Sequence, residues 1–386
     1  MQKMQKKSKN LSKFNPNRVL IFGATGQDGS YLTELYLDRG IEVVGCARRN
    51  STDNTQRIKH VLANNRFTLV ECDITDFASV HSVISKYNPE IVFNLAAQSH
   101  VATSFHQPIH TLDVTGKGVL NILEAIRIHK DNGFPRFYQA SSSEMFGDQF
   151  DREPTYSKLS RSIIAYNGKK YQDENTKMVP QSPYAIAKLV GHNLVNLYRQ
   201  SYGMYCVSGI LFNHESERRG ENFVTRKVTK WIGRFKHWFD MQNVSYKDLV
   251  LTNNDVFPPG GEFMSTKCPK LRLGNLYAKR DWGHAKDYVR AMSLMMEQDK
   301  PEDYLVATGE THTVGEFVAE AFKCIGIDNW EDYVVIDDGL KRPAEVNYLC
   351  GSPNKIKTQL GWEPQIDFKE LVKIMVEGDI KTNGDR

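Results

Sequence analysis

RVLIFGATGQDGSYLTELYL, residues 18–37, decides how the rest of the chain is read. A short apolar run, Val19 to Phe22, leads directly into glycines at 23, 26 and 29, and an amphipathic pattern follows. Strand, glycine turn and helix in that order are what a dinucleotide-binding βαβ unit requires. Gly23 permits the tight turn, Gly26 lets a pyrophosphate approach the backbone, and Gly29 allows strand and helix to pack closely. The helix N-terminus then presents N–H groups and a partial positive charge to the phosphates.

Outward from this turn the pattern repeats. EVVGCA (42–47), FTLVECD (67–73), EIVFNLAA (90–97) and RFYQASS (136–142) read as strands, and CVSGILFN (206–213) as another. Amphipathic helices such as GVLNILEAIRIHK (118–130) and PYAIAKLVGHNLVNLYRQSYG (183–203) lie between them. Strands alternating with helices predict a parallel sheet covered on both faces. The fold class is therefore α/β: a Rossmann-type, doubly wound parallel sheet, with a smaller C-terminal mixed α/β lobe for substrate. Three regions are expected: a basic tail (1–17), a mainly dinucleotide-binding domain (18–213), and a mainly substrate-binding lobe (214–386) from which some segments return to the first domain. VGEFVAEAFKCIG (314–326) and FKELVKIMVEGD (368–379) read as helices of that lobe. Its place is the C-terminal edge of the sheet, where ligands of open α/β sheets bind.

Composition narrows the function classes. Of 386 residues 40% are hydrophobic, enough for a buried core, and no apolar run approaches the ~20 residues of a membrane helix. The tail, MQKMQKKSKNLSKFNPN, holds five lysines against a formal charge of +4 for the whole chain, so the folded body is near neutral. Neither nucleic acid nor a membrane is an expected partner. The six cysteines are scattered, with no CxxC pair and no zinc-ligand spacing, which points to a reduced, cytoplasmic protein without a structural metal.

The end of the second strand chooses between cofactors. An NAD site places Asp or Glu about 20 residues beyond the glycines, on the ribose 2′-hydroxyl. Here Arg48 and Arg49 stand instead, and a guanidinium grips a 2′-phosphate where a carboxylate would repel it. NADP is the expected cofactor. In SPYAIAKL, Tyr184 and Lys188 share a helix face one turn apart. A free tyrosine titrates near ~10, and adjacent cations favour its phenolate. Strand alternation places Ser142 and Glu144 on one face, with Ser141 and Ser143 on the other. Ser142 is then the natural hydroxyl partner of Tyr184, Ser143 a helper, and Ser141 structural. A simple alcohol dehydrogenase needs no carboxylate at this place, so Glu144 suggests a second proton transfer.

The GxxGxxG spacing resembles that of the short-chain dehydrogenase/reductase superfamily. QASSSEMFG, SPYAIAKL, GILFNHESERRGENFVTRK, GNLYAKRDWGHAKDYV, VATGETHTV and RPAEV together resemble one family within it, the GDP-mannose 4,6-dehydratases, from about Arg18 to about Gly378. The resemblance implies a hydro-lyase that converts GDP-mannose to GDP-4-keto-6-deoxymannose on the route to GDP-fucose and related deoxyhexoses. Tyr184 would take the 4-hydroxyl proton as hydride leaves C4 for NADP; Glu144 would remove the C5 proton; water would leave from C6, to which the hydride returns. Catalytic residues would be Ser142, Glu144, Tyr184 and Lys188. Carried over by position, cofactor contacts fall on Gly23, Thr25, Gly26, Gln27 and Asp28. Arg49, Ser51, Asp73, Ile74, Leu95, Ala97 and Ser99 follow, then Lys188, His214 and Arg219. Substrate contacts fall on Asn213, Lys227, Arg280, Arg342 and Glu345. Other nucleotide-sugar dehydratases, epimerases and 4-ketoreductases of the superfamily are the alternative.

Some positions depart from the family. Ser142 stands where threonine is usual, His110 where a tyrosine approaches the cofactor, and Glu217 where proline stands, a change expected to loosen its turn. The segment between Glu144 and Tyr184 is longer than usual by something like LSRSIIAYNGKKYQDENTK, and residues 235–263 form a second extra stretch. Both are expected as surface excursions. Family members form dimers or tetramers, so a homo-oligomer is expected here.

Overall fold

The structure, a computed structural model, describes residues 14, 16–129, 133–153, 155–156, 163–165, 168–242, 244–253, 257 and 266–384. Most of the lysine-rich tail and parts of both extra stretches lie outside the described residues.

Seven parallel strands form the sheet: β1 (Arg18–Phe22), β2 (Glu42–Ala47), β3 (Phe67–Glu71), β4 (Ile91–Asn94), β5 (Arg136–Ser142), β6 (Cys206–Leu211) and β7 (Tyr304–Val306). Their spatial order is β7-β6-β5-β4-β1-β2-β3. Among the described residues, the α-helices of ten or more residues are α1 (Gln27–Asp38), α2 (Phe77–Tyr87), α3 (Gly118–Ile128), α4 (Pro183–Tyr202), α5 (Val224–Gln242), α6 (Ala285–Met296), α7 (Val314–Lys323) and α8 (Phe368–Gly384). The strands are apolar throughout because alternate residues enter two cores. Val19, Ile21, Val43 and Phe93 pack on the face covered by α1 and α6. Leu20, Phe22, Val44 and Val92 pack on the face covered by α2 and α3. Burying such a side chain is worth roughly 1.5–3 kcal/mol, so a one-residue slip of any strand would be costly on both faces.

Strand order reverses at β1, which pairs with β2 on one side and β4 on the other. That reversal opens a crevice at the strands' C-terminal ends, as doubly wound sheets do. Six of the strands coincide with the apolar runs read from sequence. The three-residue β7 was not read as a strand; it returns from the second half to pair with β6. α6 returns as well, joined to α1 through Tyr36 Oη and Ser293 Oγ (3.2 Å) and through Arg39 and Glu297 (2.8 Å).

A third core lies in the C-terminal half, where Val228, Trp231, Ile232 and Phe235 of α5 meet Phe317 and Phe322 of α7 and Leu371 and Met375 of α8. A buried ion pair, Arg226–Asp379 (2.8 Å), with Thr229 Oγ1 donating to the same carboxylate (2.7 Å), fixes α5 on α8. The expectation that 235–263 is a surface excursion fails at its start: Phe235 and Trp238 are buried core residues of α5. The other extra segment begins as an antiparallel ladder of Asp151–Arg152 with Lys170–Tyr171, and a second pairs Thr155–Tyr156 with Ile163–Ala165; the surface expectation fails at its end, where Gln172 and Thr176 are buried. Among the described residues, no helix is long and apolar enough to cross a membrane.

Candidate active site

The glycine turn is shaped by close backbone approaches. Gly23 has φ +85°, and a Cβ there would lie 2.9 Å from Ala96 N across the switch point. A Cβ on Gly29 would lie 2.2 Å from Gly23 O, a backbone atom with nowhere to move. We expect Gly29→Ala to force α1 off β1, costing about 1–3 kcal/mol or more and abolishing dinucleotide binding; denaturant melts and fluorescence titration with the dinucleotide check this. The cradle a Cβ would fill, together with the N–H groups at the start of α1, fits a dinucleotide pyrophosphate.

A cavity of about 940 Å³ runs from this turn across to the C-terminal half. Gly23, Thr25, Gly26, Gln27 and Asp28 line it, as do Asp73, Ile74, Leu95, Ala97 and Ser99. Lys188, His214, Arg219 and also His110 reach it. Arg49 borders a smaller adjoining cavity with Arg48 and Asp73, whereas Ser51 lines neither of these two. The side chains of Gln27 and Asp28 serve the protein itself. Gln27 Nε2 donates to His214 O (3.0 Å), and its Oε1 accepts from Ser216 Oγ (2.8 Å). Asp28 Oδ2 meets His214 Nε2 at 2.7 Å. Burial alone would raise Asp28, but the charge and hydrogen bond of His214 hold it below the usual carboxylate range. The same partnership overcomes burial on His214 and raises its imidazole. A pair of this kind offsets the carboxylate's repulsion of a phosphate.

The candidate reacting side chains come from two elements that meet at the C-terminal edge of β5. Ser182 caps α4 by accepting from Ala185 N (3.1 Å), and Pro183 occupies the first turn, so the helix starts just before Tyr184. Tyr184 and Lys188 then sit on the face toward β5. Lys188 Nζ donates to Ala140 O (2.7 Å) and lies 5.8 Å from the Tyr184 ring centroid. Burial lowers Lys188 to about 8, although the charge of Asp28 works against that. Burial pushes Tyr184 up to about 12; its hydrogen bond with Ser142 opposes this and the charge of Glu144 adds to it. Ser141 also lines the cavity, but its Oγ is engaged 3.2 Å from His192 Nδ1. β5 ends at Ser142 and a 3₁₀ turn begins, with Glu144 N donating to Ser142 Oγ (3.3 Å). Glu144 is nearly buried, and Met145 and Phe146, which follow it in the chain, are fully buried.

Asn213, Lys227, Arg280, Arg342 and Glu345 line the same cavity. Glu345 Oε1 accepts from Arg280 Nη2 (2.7 Å) and lies 3.4 Å from Arg342 Nη1, and the same Arg342 nitrogen is 3.7 Å from Glu144 Oε1. Guanidiniums gathered on a cavity wall suit a phosphorylated ligand. Next to Arg280, the buried Asp281 accepts from Thr308 N (2.8 Å) and Oγ1 (2.7 Å), Gly309 N (3.0 Å) and Gly351 N (3.1 Å). Burial still raises Asp281 to about 6. The folded state thus holds this proton more tightly, so its contribution to stability is present below about 4 and lost as pH rises through about 6. Denaturant melts of the wild type and Asp281→Asn should show a stability difference that changes by on the order of 3 kcal/mol across that window.

Other residues on the walls were not singled out from sequence, among them His100, Asn222 and Lys341. The Lys341–Arg342 pair was a readable signal. His100 was not: it caps the helix Val101–His106 and packs edge-on against Phe223, contacts made only by the fold. Glu217 does not loosen its turn. Its carboxylate accepts from Tyr31 Oη (2.8 Å), stands 3.9 Å from His284 Nε2, and its carbonyl accepts from Arg226. Among the described residues, no cluster of side chains could hold a metal ion.

Comparison with known proteins follows the same outline. The sequence profile of the GDP-mannose 4,6 dehydratase family matches residues 20–246 and 262–375. GDP-mannose 4,6 dehydratase 2 of Arabidopsis thaliana is 45% identical over 375 residues, spanning 95% of this chain and 88% of that protein. The Homo sapiens GDP-mannose 4,6 dehydratase is 39% identical over 387 residues, spanning 95% and 92%. Among solved structures, UDP-glucose 4-epimerase of Thermotoga maritima with UDP-glucose superposes with a TM-score of 0.72 at 22% identity, over 95% of this chain and 99% of that one. dTDP-glucose 4,6-dehydratase of Bacillus anthracis in complex with NAD gives 0.71 at 16% identity, over 95% and 97%. At such identities the two structures speak for the fold alone.

Proposed function

The chain belongs to the GDP-mannose 4,6 dehydratase family, and from that premise we propose that it is a hydro-lyase converting GDP-mannose to GDP-4-keto-6-deoxymannose and water. The observation that carries the reading is Glu144. A carboxylate stands on the cavity wall beside the Tyr184–Ser142 pair and 3.7 Å from Arg342. Tyr184 accepts the 4-hydroxyl proton, with Ser142 holding the hydroxyl in line and Lys188 supplying positive charge below the phenol. Glu144 removes the C5 proton that the new 4-ketone acidifies and passes it to the C6 hydroxyl, which leaves as water; a solvent proton returns to C5 as hydride reaches C6, and Tyr184 gives its proton back to solvent. Asn213, Lys227, Arg280 and Arg342 hold the nucleotide diphosphate, and Glu345 accepts from ribose hydroxyls.

NADP, when bound, supplies the hydride acceptor at C4 and the donor at C6. The residues suited to hold it are the glycine turn, His214 and Arg219 for the pyrophosphate, and Arg48 and Arg49 for the 2′-phosphate. A dinucleotide-binding first half and a substrate-binding second half, divided near residue 213, fit this assignment. The thiols are free and mostly buried, which suits a cytoplasmic enzyme.

An apolar stripe supports a homo-oligomer, dimer or tetramer. Ile186, Val190 and Leu197 are exposed along α4, beside the exposed Ile109 and Leu112; such patches mark contact surfaces. Light scattering at micromolar concentration should give a multiple of the 44.1 kDa chain, and a fully active monomer would remove this claim.

Incubating the purified protein with GDP-mannose and NADP, and following loss of water by mass spectrometry, tests the whole reading. An epimerase or 4-ketoreductase would give a product that keeps its 6-hydroxyl. Offering GDP-glucose and dTDP-glucose in parallel tests the choice of base and sugar.

A further inference from the structure

Residues 347–352 run as an extended segment between two neighbours. On one side Lys279 N donates to Asn347 O (2.9 Å) and Leu349 N to Lys279 O (3.1 Å), which ties the segment to the strand that carries Arg280. On the other side Gln172 N donates to Cys350 O (2.9 Å) and Ser352 N to Gln172 O (2.8 Å). The Gln172 side chain, fully buried, adds three more bonds. Nε2 donates to Gln149 O (2.9 Å) and Tyr348 O (3.3 Å), and Oε1 accepts from Cys350 N (2.9 Å). One amide thereby joins the chain leaving Glu144 to the chain following Arg342 and Glu345. Asp148 makes a second link across the same gap, its Oδ1 accepting from Asn347 N (3.0 Å).

Resting on the dehydratase reading above, we propose that Gln172 is a positioning residue that sets the separation between Glu144 and the Arg342–Glu345 pair. Arg342 and Glu144 approach to 3.7 Å without a hydrogen bond, so their direct contact does not fix their distance. The backbones do, and Gln172 holds those backbones together. Only a side chain with both a donor and an acceptor can serve two carbonyls and one N–H at once. A carboxylate would repel Gln149 O and Tyr348 O; a hydrocarbon would leave three buried polar groups unpaired. Proton transfer tolerates little error in such a spacing, since a misplacement of about 1 Å can cost ~10²-fold.

Gln172→Glu keeps the volume and the acceptor and removes both donors. We expect GDP affinity, read by calorimetry, to fall roughly tenfold. Exchange of the GDP-mannose C5 proton into D₂O should slow by roughly tenfold or more per active site, with dinucleotide affinity unchanged. A purely structural role would instead lower the melting temperature and leave GDP affinity and exchange at wild-type values; that result in soluble protein overturns the proposal. If Gln172→Glu does not fold, Gln172→Asn, which keeps a donor and an acceptor but shortens their reach, is read the same way, and unchanged GDP affinity overturns the proposal. A wild type that binds GDP but releases no water from GDP-mannose overturns the dehydratase reading, and the GDP arm alone then decides the role of Gln172. A wild type that binds no GDP overturns both.

Discussion

Glu144→Gln is expected to lower dehydration of GDP-mannose by ~10²–10⁴-fold, the usual weight of a positioned acid–base group. Glutamine has the same shape, and the next two residues of the turn, Met145 and Phe146, are fully buried, so the 3₁₀ turn and its bond to Ser142 should persist. What is lost is a base able to take the C5 proton. In D₂O the wild type should place deuterium at C5 and release water; the variant should do neither at a comparable rate. Mass spectrometry of substrate and product reads both. Full turnover to a product that keeps its 6-hydroxyl would move the chain among the epimerases and ketoreductases, for which Ser142, Tyr184 and Lys188 suffice.

Tyr184→Phe should cost a similar ~10²–10⁴-fold, through the opposite end of the sugar's proton inventory. Burial has pushed this phenol up to about 12, far from a useful base at neutral pH. The fold therefore depends on positive charge nearby to bring it down when the site is loaded. Arg219 already works in that direction, and Lys188, lowered to about 8 by burial, is the candidate for a second cation beside the phenol. Lys188→Met should accordingly shift the rising limb of the pH–rate profile to higher pH rather than simply scale it down. A profile that keeps its wild-type midpoint would remove Lys188 from this role. Circular dichroism of both variants separates loss of chemistry from loss of fold.

Much of the sheet could be read from sequence for one physical reason. Strands buried on both faces are apolar without interruption, and six such runs alternate with helices. The glycine turn was legible because backbone crowding at Gly23 and Gly29 leaves no room for a side chain. The orientation of the serines was only half legible. Strand alternation ranks Ser142 with Glu144, but the chain leaves the strand at Ser142, and residues 141 to 144 all reach the cavity. α5 was hidden by its basic residues, although Val228, Trp231, Ile232 and Phe235 carry a helical period. Arg342 and Glu345 could be placed by resemblance alone, because their positions depend on bonds to residues far away in the chain. Glu217 was misjudged for the same reason: its partners, Tyr31 and His284, come from distant elements.

The late return of β7 to the sheet bears on how the protein is made. Residues 304–306 pair with Gly209, Ile210 and Leu211 of β6, yet they are synthesised after the entire first half. Until they arrive, β6 offers an open row of N–H and C=O groups, a template for another nascent chain. A translation product ending before residue 304 should therefore aggregate rather than persist as a small dinucleotide-binding protein. Solubility and completion of the chain are coupled by three residues at the edge of the sheet.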